Sequence, residues 1–170
     1  MIPRPSDPRW LAATTLGLGH LRPAPGTWGS LPPVAVAGLL IALGMGPGDQ
    51  PLVYHAALLA ILLASSAACV ACGEWAEAWY GKEDPGWVVA DETAGQCIPL
   101  AFLPVAATDG PVALGAALAV AFLSFRLFDI VKPPPAHALQ KIPGGWGVLI
   151  DDLFAGLYAL IATQAILHLL

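Results

Sequence analysis

Five apolar stretches follow one another along this chain, separated by short breaks rich in proline, glycine and aspartate. The second stretch holds 21 uncharged residues, from Leu52 to Cys72, and about 20 helical residues cross the hydrocarbon core of a bilayer. The fourth is similar in length but ends in Arg126 and Asp129. We therefore predict an all-α, multihelical integral membrane bundle. Its hydrophobic segments are residues 31–46, 52–73, 95–108, 111–131 and 153–170.

The first and third of these segments are short, and the third contains Pro99 and Pro104. Such segments can be tilted, partly re-entrant or packed inside the bundle, because irregular backbone at membrane depth must be buried in protein. Composition supports a membrane location, since 57% of the residues are hydrophobic and the mean hydropathy is +0.71. No linker or charge run divides the chain, so residues 1–170 are predicted to form a single domain.

Charged residues fall almost entirely on one side of the predicted bundle. If all five segments cross, residues 1–30, 74–94 and 126–152 share a side that holds all seven basic and ten of the twelve acidic residues. Basic residues favour the cytoplasmic side, so we predict that the N-terminus and the two long loops are cytoplasmic. The net charge of −5, without a basic patch, argues against a nucleic-acid partner. The basic residues are Arg4, Arg9, Arg22, Lys82, Arg126, Lys132 and Lys141.

Two adjacent carboxylate pairs, Asp91-Glu92 and Asp151-Asp152, stand at the boundaries of apolar segments. Neighbouring carboxylates in an apolar setting repel each other and lose hydration, so they stay ionised only beside a cation or strong donors. Either pair could instead cap a helix N-terminus. Two pairs, together with the charged end of the fourth segment, favour a metal site. On a helix Asp91 and Glu92 point about 100° apart, so one could ligate while the other orients a partner.

Phosphate-binding groups are expected beside these carboxylates. Gly26 and Thr27 lead into the first hydrophobic segment, where backbone N–H groups at a helix start favour an anion, although an ordinary turn uses the same residues. Arg126 can bind two phosphate oxygens, and Lys132 adds a point charge before three prolines. The alternative is a structural i, i+3 ion pair between Arg126 and Asp129. Oxygen ligands without a histidine or cysteine cluster suit Mg²⁺.

Four blocks of this sequence resemble the signature blocks of the phosphatidylglycerophosphatase A family, in the same order and at similar spacing. They are PGTWGSL (25–31), ADETAGQ (90–96), FRLFDIVKPPP (125–135) and GGWGVLIDDLFAG (144–156). The resemblance covers about residues 10–165. It implies a multihelical, Mg²⁺-dependent phosphatase of the bacterial inner membrane, whose substrate is the phospholipid phosphatidylglycerophosphate and whose products are phosphatidylglycerol and inorganic phosphate.

Together with this resemblance, the residues predict a phosphatase site on the cytoplasmic face. A magnesium ion held by Asp91, Asp151 and either Asp129 or Asp152 would activate a water for in-line attack, with Glu92 as a ligand or as the general base. A phospho-aspartyl intermediate is the alternative route. The predicted catalytic residues are Asp91, Glu92, Asp129, Arg126 and Lys132, the phosphate-binding residues are Gly26, Thr27, Arg126 and Lys132, and the metal ligands are Asp91, Glu92, Asp129, Asp151 and Asp152.

Two other functions would use the same charged residues. A small membrane transporter could cluster carboxylates and an arginine within the bundle, and liposome flux would separate it from a phosphatase. A non-catalytic membrane partner subunit could use them as structural ion pairs, whose charge-reversed versions should restore stability. The four matching blocks favour the phosphatase over both alternatives.

Overall fold

The chain is helical, without a strand, over the residues that the computed structural model describes, which are 7–82, 85–139, 142 and 144–169. The predicted all-α, multihelical fold is therefore confirmed. Its helices are α1 (Pro8–Ala13), α2 (Pro25–Ala42), α3 (Pro51–Tyr80), α4 (Ala90–Ala101), α5 (Pro111–Val131), α6 (Ala136–Leu139) and α7 (Gly145–Leu169), with 3₁₀ turns at Leu18–His20 and Val105–Thr108.

Three of these helices, α3, α5 and α7, are long and apolar enough to cross a membrane. The other two apolar segments give shorter or less apolar helices. The predicted segment 31–46 lies largely within α2, and the segment 95–108 divides between α4 and a 3₁₀ turn. With 12 residues, α4 extends about 18 Å at 1.5 Å per residue, which is less than the roughly 30 Å hydrocarbon core.

One end of the bundle gathers the starts of α2, α4 and α7 and the ends of α3 and α5. Gly26 of α2 lies directly against the side chains of Glu92 in α4 and Arg126 in α5. Gly73 of α3 packs backbone to backbone on Gly145 of α7, where an added Cβ would lie 2.5 Å from the Gly145 nitrogen. We call this the site end, because the predicted site residues lie there.

The far end of the bundle joins the opposite ends of the same helices. The Tyr54 hydroxyl of α3 donates to the Leu100 carbonyl of α4 at 2.8 Å. Gln164 of α7 donates to the carbonyl of Phe102, just after α4. Helices α2, α3, α4, α5 and α7 therefore alternate in direction. Arg4 and Lys141, which the sequence assigns to the site end, lie outside the described residues.

Helix α2 begins six residues before the predicted segment, so the PGTWGSL block lies within the helix rather than leading into it. Pro25 stands in its first turn, where the fixed φ of proline suits a helix start. Pro33 lies inside α2 and has no N–H for the Gly29 carbonyl, one turn earlier. Thr93 of α4 supplies the missing donor, since its Oγ1 bonds to that carbonyl at 2.7 Å. The hydrogen bond that compensates for this proline thus holds α2 against α4.

Candidate metal and phosphate site

Three carboxylates meet at the site end. Asp91 and Glu92 lie in the first turn of α4, and Asp152 lies in the second turn of α7. One oxygen from each lies within 4.8 Å of the others, so the group could hold a metal ion. From the 100° between Asp91 and Glu92 on a helix, the sequence suggested that one ligates while the other orients a partner. Both instead contribute an oxygen to the same group, because two such side chains can reach a third group that lies between them.

Helix capping does not account for Asp91 and Glu92. The N-cap of α4 is Val89, and α4 has no side-chain hydrogen bond to its cap. Asp151 and Asp152 are the seventh and eighth residues of α7, well inside the helix. Asp91 is 4% exposed and Asp152 2% exposed, so both carboxylates have left water, and Asp152 lies too far along α7 to reach the free N–H groups of its first turn. The metal interpretation is therefore favoured over the capping alternative.

Two glycines allow α4 and α7 to approach closely enough for this meeting. A Cβ on Gly95 would lie 2.6 Å from the carbonyl oxygen of Asp152. A Cβ on Gly156, one turn further along α7, would lie 2.5 Å from the carbonyl oxygen of Gly95. Real Cβ atoms do not approach carbonyl oxygens this closely, so both positions require glycine. The backbone contact brings Asp152 up to the first turn of α4.

Arg126 lies beside the carboxylates near the end of α5. Its Nη1 atom is 2.6 Å from Asp129 Oδ2, so the i, i+3 ion pair that the sequence left open as the structural alternative is present. The same Nη1 donates to Ser30 Oγ of α2 at 3.4 Å. Gly26, one turn before Ser30, has no side chain to separate it from Glu92 and Arg126, and an added Cβ would lie 2.9 Å from Nη1. Gly26 therefore contacts both Glu92 and Arg126.

Lys132 and Asp151 form a second ion pair, between the end of α5 and the second turn of α7. The Asp151 side chain is fully buried, and that of Lys132 is 24% exposed. Burial lowers the pKa of Lys132. Its hydrogen bond to Asp151 and the charges of Asp151, Asp152 and Asp129 outweigh this effect, so the pKa lies above its usual value. Asp151 thus directs its carboxylate to Lys132 while its neighbour Asp152 joins the group of three.

Not every predicted residue takes its expected position. Asp129 contacts Arg126 and also forms a hydrogen bond with Asp152, so it adjoins the three carboxylates without being one of them. The Thr27 N–H donates to the Ala24 carbonyl at 3.0 Å and is engaged within the first turn of α2. Of the two predicted backbone residues, Gly26 is the one that contacts the site.

The three carboxylates have the chemistry of a cation site. Burial raises the pKa of Glu92 to about 8, a hydrogen bond with Asp91 opposes this rise, and the charges of Asp152 and Asp129 add to it. Glu92 Oε2 and Asp152 Oδ2 are buried and have no hydrogen-bond partner among the described residues. Buried oxygens of this kind are costly unless a cation or a proton joins them. Oxygen donors suit a hard divalent ion.

Several residues that build the site were not among those predicted from the sequence. Ser30 accepts from Arg126, and Thr93 bonds to α2 at the Gly29 carbonyl. Gly95 and Gly156 allow the α4–α7 contact. One signal was available, because Pro33 inside a helix leaves the Gly29 carbonyl in need of a donor. The glycine contacts depend on which helices are neighbours, and the spacing of the residues does not give that.

A family profile and two similar proteins carry the same family name. The family profile described as Phosphatidylglycerophosphatase A matches residues 11–167. Phosphatidylglycerophosphatase A of Haemophilus influenzae is 35% identical over 94% of this chain and 89% of its own length. The Escherichia coli protein of the same name is 30% identical over 89% of this chain and 78% of its own length.

A third relative carries a different name. A Bacteroides thetaiotaomicron protein, provisionally named phosphatidylinositol-3-phosphatase, is 37% identical over 93% of this chain and 92% of its own length. No solved structure matches the chain significantly. The family profile covers all four blocks that build the site end, from the start of α2 to Gly156 in α7. This chain belongs to the phosphatidylglycerophosphatase A family.

Proposed function

We propose that this protein is a membrane phosphatase that hydrolyses phosphatidylglycerophosphate to phosphatidylglycerol and inorganic phosphate. The observation that carries the proposal is the meeting of Asp91, Glu92 and Asp152 with Gly26 and Arg126 at one end of an apolar bundle. Carboxylates beside a guanidinium offer a cation site next to an anion site, which a phosphate monoester requires. The names of the Haemophilus influenzae and Escherichia coli relatives support this substrate.

Mg²⁺ is the ion that we propose for the three carboxylates. Asp91, Glu92 and Asp152 would hold it, because two of them carry buried oxygens without a partner among the described residues. A bound Mg²⁺ supplies positive charge to the phosphoryl group and makes water a better nucleophile at neutral pH. Asp129 and Asp151, which the sequence also suggests as ligands, hold Arg126 and Lys132 in position beside the group.

The basic residues of the site would bind the phosphate. Arg126 would hold two of its oxygens, because a guanidinium matches their spacing. Gly26 would let Arg126 and Glu92 lie directly against the α2 backbone beside the phosphate, since it has no side chain to hold them away. Lys132 would add positive charge near Asp151, and Thr27 would complete the first turn of α2 around the phosphate. In this arrangement Glu92 is a metal ligand rather than the general base.

The proposed location is the bacterial inner membrane, with the site end on the cytoplasmic face. Each of the five described basic residues belongs to a segment at the site end, and basic residues favour the cytoplasmic side. The far end carries Asp49 and Asp109, both of them exposed, in its connecting loops. The lipid substrate would then present its phosphate from the cytoplasmic leaflet.

A second substrate deserves a direct test, because the Bacteroides thetaiotaomicron relative is named for a phosphoinositide. Purified protein in detergent would be assayed for phosphate release from phosphatidylglycerophosphate, phosphatidylinositol-3-phosphate and phosphatidic acid, each with Mg²⁺ and with EDTA. We expect Mg²⁺-dependent release, fastest from phosphatidylglycerophosphate. A preference for the phosphoinositide would show that the proposed substrate is wrong and that the protein is nevertheless a phosphatase. Absence of release from all three lipids would contradict the proposed function, and a liposome flux assay would then test the transporter.

A further inference from the structure

One nitrogen of Arg126 is held by two acceptors on different helices. Nη1 lies 2.6 Å from Asp129 Oδ2, one turn along α5, and 3.4 Å from Ser30 Oγ on α2. Ser30 is fully buried, and its hydroxyl donates its single proton to the Gly26 carbonyl at 2.7 Å. Since that proton is engaged, the Ser30 oxygen can only accept from Arg126. The direction of the Ser30–Arg126 contact is therefore fixed.

The opposite edge of the same guanidinium forms no hydrogen bond with the described residues. Arg126 Nε is buried and has no hydrogen-bond partner in the described part of the chain, and Nη2 forms no hydrogen bond there either. Nε and Nη2 lie side by side in the guanidinium plane and donate in parallel, which matches two oxygens of a phosphate. A buried donor without a partner destabilises the protein, and an anionic ligand at this edge would remove that penalty.

We infer that Ser30 is a positioning residue, which together with Asp129 holds Nη1 of Arg126 and so presents the Nε–Nη2 edge to a phosphate monoester. A single acceptor at Nη1 would leave the guanidinium free to swing about that contact. A second acceptor, on a different helix, removes this freedom. The inference rests on the proposed function, because it takes the phosphate of the lipid substrate as the ligand. It assigns the orientation of Arg126 to a residue that touches no substrate.

Ser30→Ala tests this role, with Ser66→Ala as the matched control because Ser66 is a half-buried serine in the middle of α3. We expect Ser30→Ala to lower kcat/KM for phosphatidylglycerophosphate about tenfold, mainly by raising KM, since one hydrogen bond to a charged group is lost. Ser66→Ala should leave both constants unchanged. Inorganic phosphate supplies a second measurement, because its stabilisation of the Mg²⁺-loaded protein against heat should weaken in Ser30→Ala.

A double-mutant cycle separates positioning from general support of the fold. A lysine at position 126 has no Nε–Nη2 edge to orient, so Ser30→Ala should change kcat/KM and the phosphate-induced Tm shift less than twofold in an Arg126→Lys background. Equal losses in both backgrounds, or an unchanged KM in Ser30→Ala, would overturn the inference. If the wild-type protein releases no phosphate from any lipid, the proposed function fails, and the Tm shift with inorganic phosphate still decides whether Ser30 orients Arg126.

Discussion

The ammonium of Lys132 bonds to the carboxylate of Asp151, so the residue that ends α5 supplies the counter-charge for a fully buried carboxylate in α7. Lys132 is also the C-cap of α5, with a left-handed φ of 46° and its N–H bonded to the Phe128 carbonyl at 2.8 Å. The sequence suggested a movable point charge before the proline run. Its side chain is instead fixed by Asp151, because a buried carboxylate without a cation is strongly unfavourable.

Removal of the Lys132 charge should therefore affect stability more than a surface lysine would. We expect Lys132→Met to lower the free energy of unfolding by about 3 kcal/mol, because it removes the ammonium to which the buried Asp151 carboxylate is bonded. Lys132→Arg keeps the charge and should stay close to wild type. Thermal unfolding in detergent would measure both. The double variant Lys132→Met with Asp151→Asn should recover much of the loss, and failure to recover would mean that the pair does not account for the effect.

Removal of one charge from the three carboxylates should have opposite effects on stability and activity. Burial raises the pKa of Glu92 to about 8, so at pH 9 in EDTA the repulsion among Asp91, Glu92 and Asp152 is greater than at neutral pH, and Asp152→Asn should raise the Tm there by a few degrees, about 1 kcal/mol of relief. The same variant should lose most of the Mg²⁺-induced rise in Tm and at least 100-fold in kcat. Asp49→Asn, an exposed carboxylate at the far end, is the control.

These two measurements also test the proposed ligands independently of the lipid assay. If Asp152→Asn lowers the Tm in EDTA and retains the response to Mg²⁺, the carboxylate supports the fold and holds no metal. Glu92→Gln should behave like Asp152→Asn, because both side chains carry a buried oxygen without a partner among the described residues. Asp151→Asn should differ from both and keep its Mg²⁺ response, since Asp151 faces Lys132.

The sequence predicted which segments meet, because alternating apolar helices bring every second connection to the same end of the bundle. It named Asp151 beside Asp91, with Asp129 or Asp152 as the third ligand, whereas in the structure Asp152 joins Asp91 and Glu92. Adjacent helical residues point about 100° apart, so that choice depends on the rotation of α7 about its axis. The contact between Gly95 and Gly156 sets the rotation, and a contact between helices cannot be read from residue spacing.

The start of α2 is a second feature that the sequence did not predict. Glycine, proline and serine in the PGTWGSL block predicted a segment leading into the first apolar helix, with an ordinary turn as the alternative, because these residues favour turns. In the structure the block forms the first two turns of α2, since Thr93 bonds to the Gly29 carbonyl that Pro33 leaves free. The tertiary contact overrides the local preference. The order of the four blocks carried the family resemblance even where the element boundaries differed.

Gly26 should tolerate no side chain, although it lies in a helix. Alanine normally stabilises a helix by about 1 kcal/mol relative to glycine, and the backbone of Gly26 is not left-handed. A Cβ there would overlap Glu92 Oε1 and lie 2.9 Å from Arg126 Nη1. We expect Gly26→Ala to lower kcat/KM at least 100-fold and to give no gain in Tm. Gly115→Ala, in the open face of α5, should raise the Tm and keep activity.

The side of the membrane that holds the site end can be tested with single added cysteines. Lys82 follows α3 at the site end, and Asp49 precedes it at the far end, and both are exposed. The native cysteines Cys69, Cys72 and Cys97 are buried and should label slowly. In intact cells, an impermeant maleimide should label Asp49→Cys and spare Lys82→Cys until the membrane is permeabilised, because the basic site end should be cytoplasmic. The reverse labelling would place the site outside.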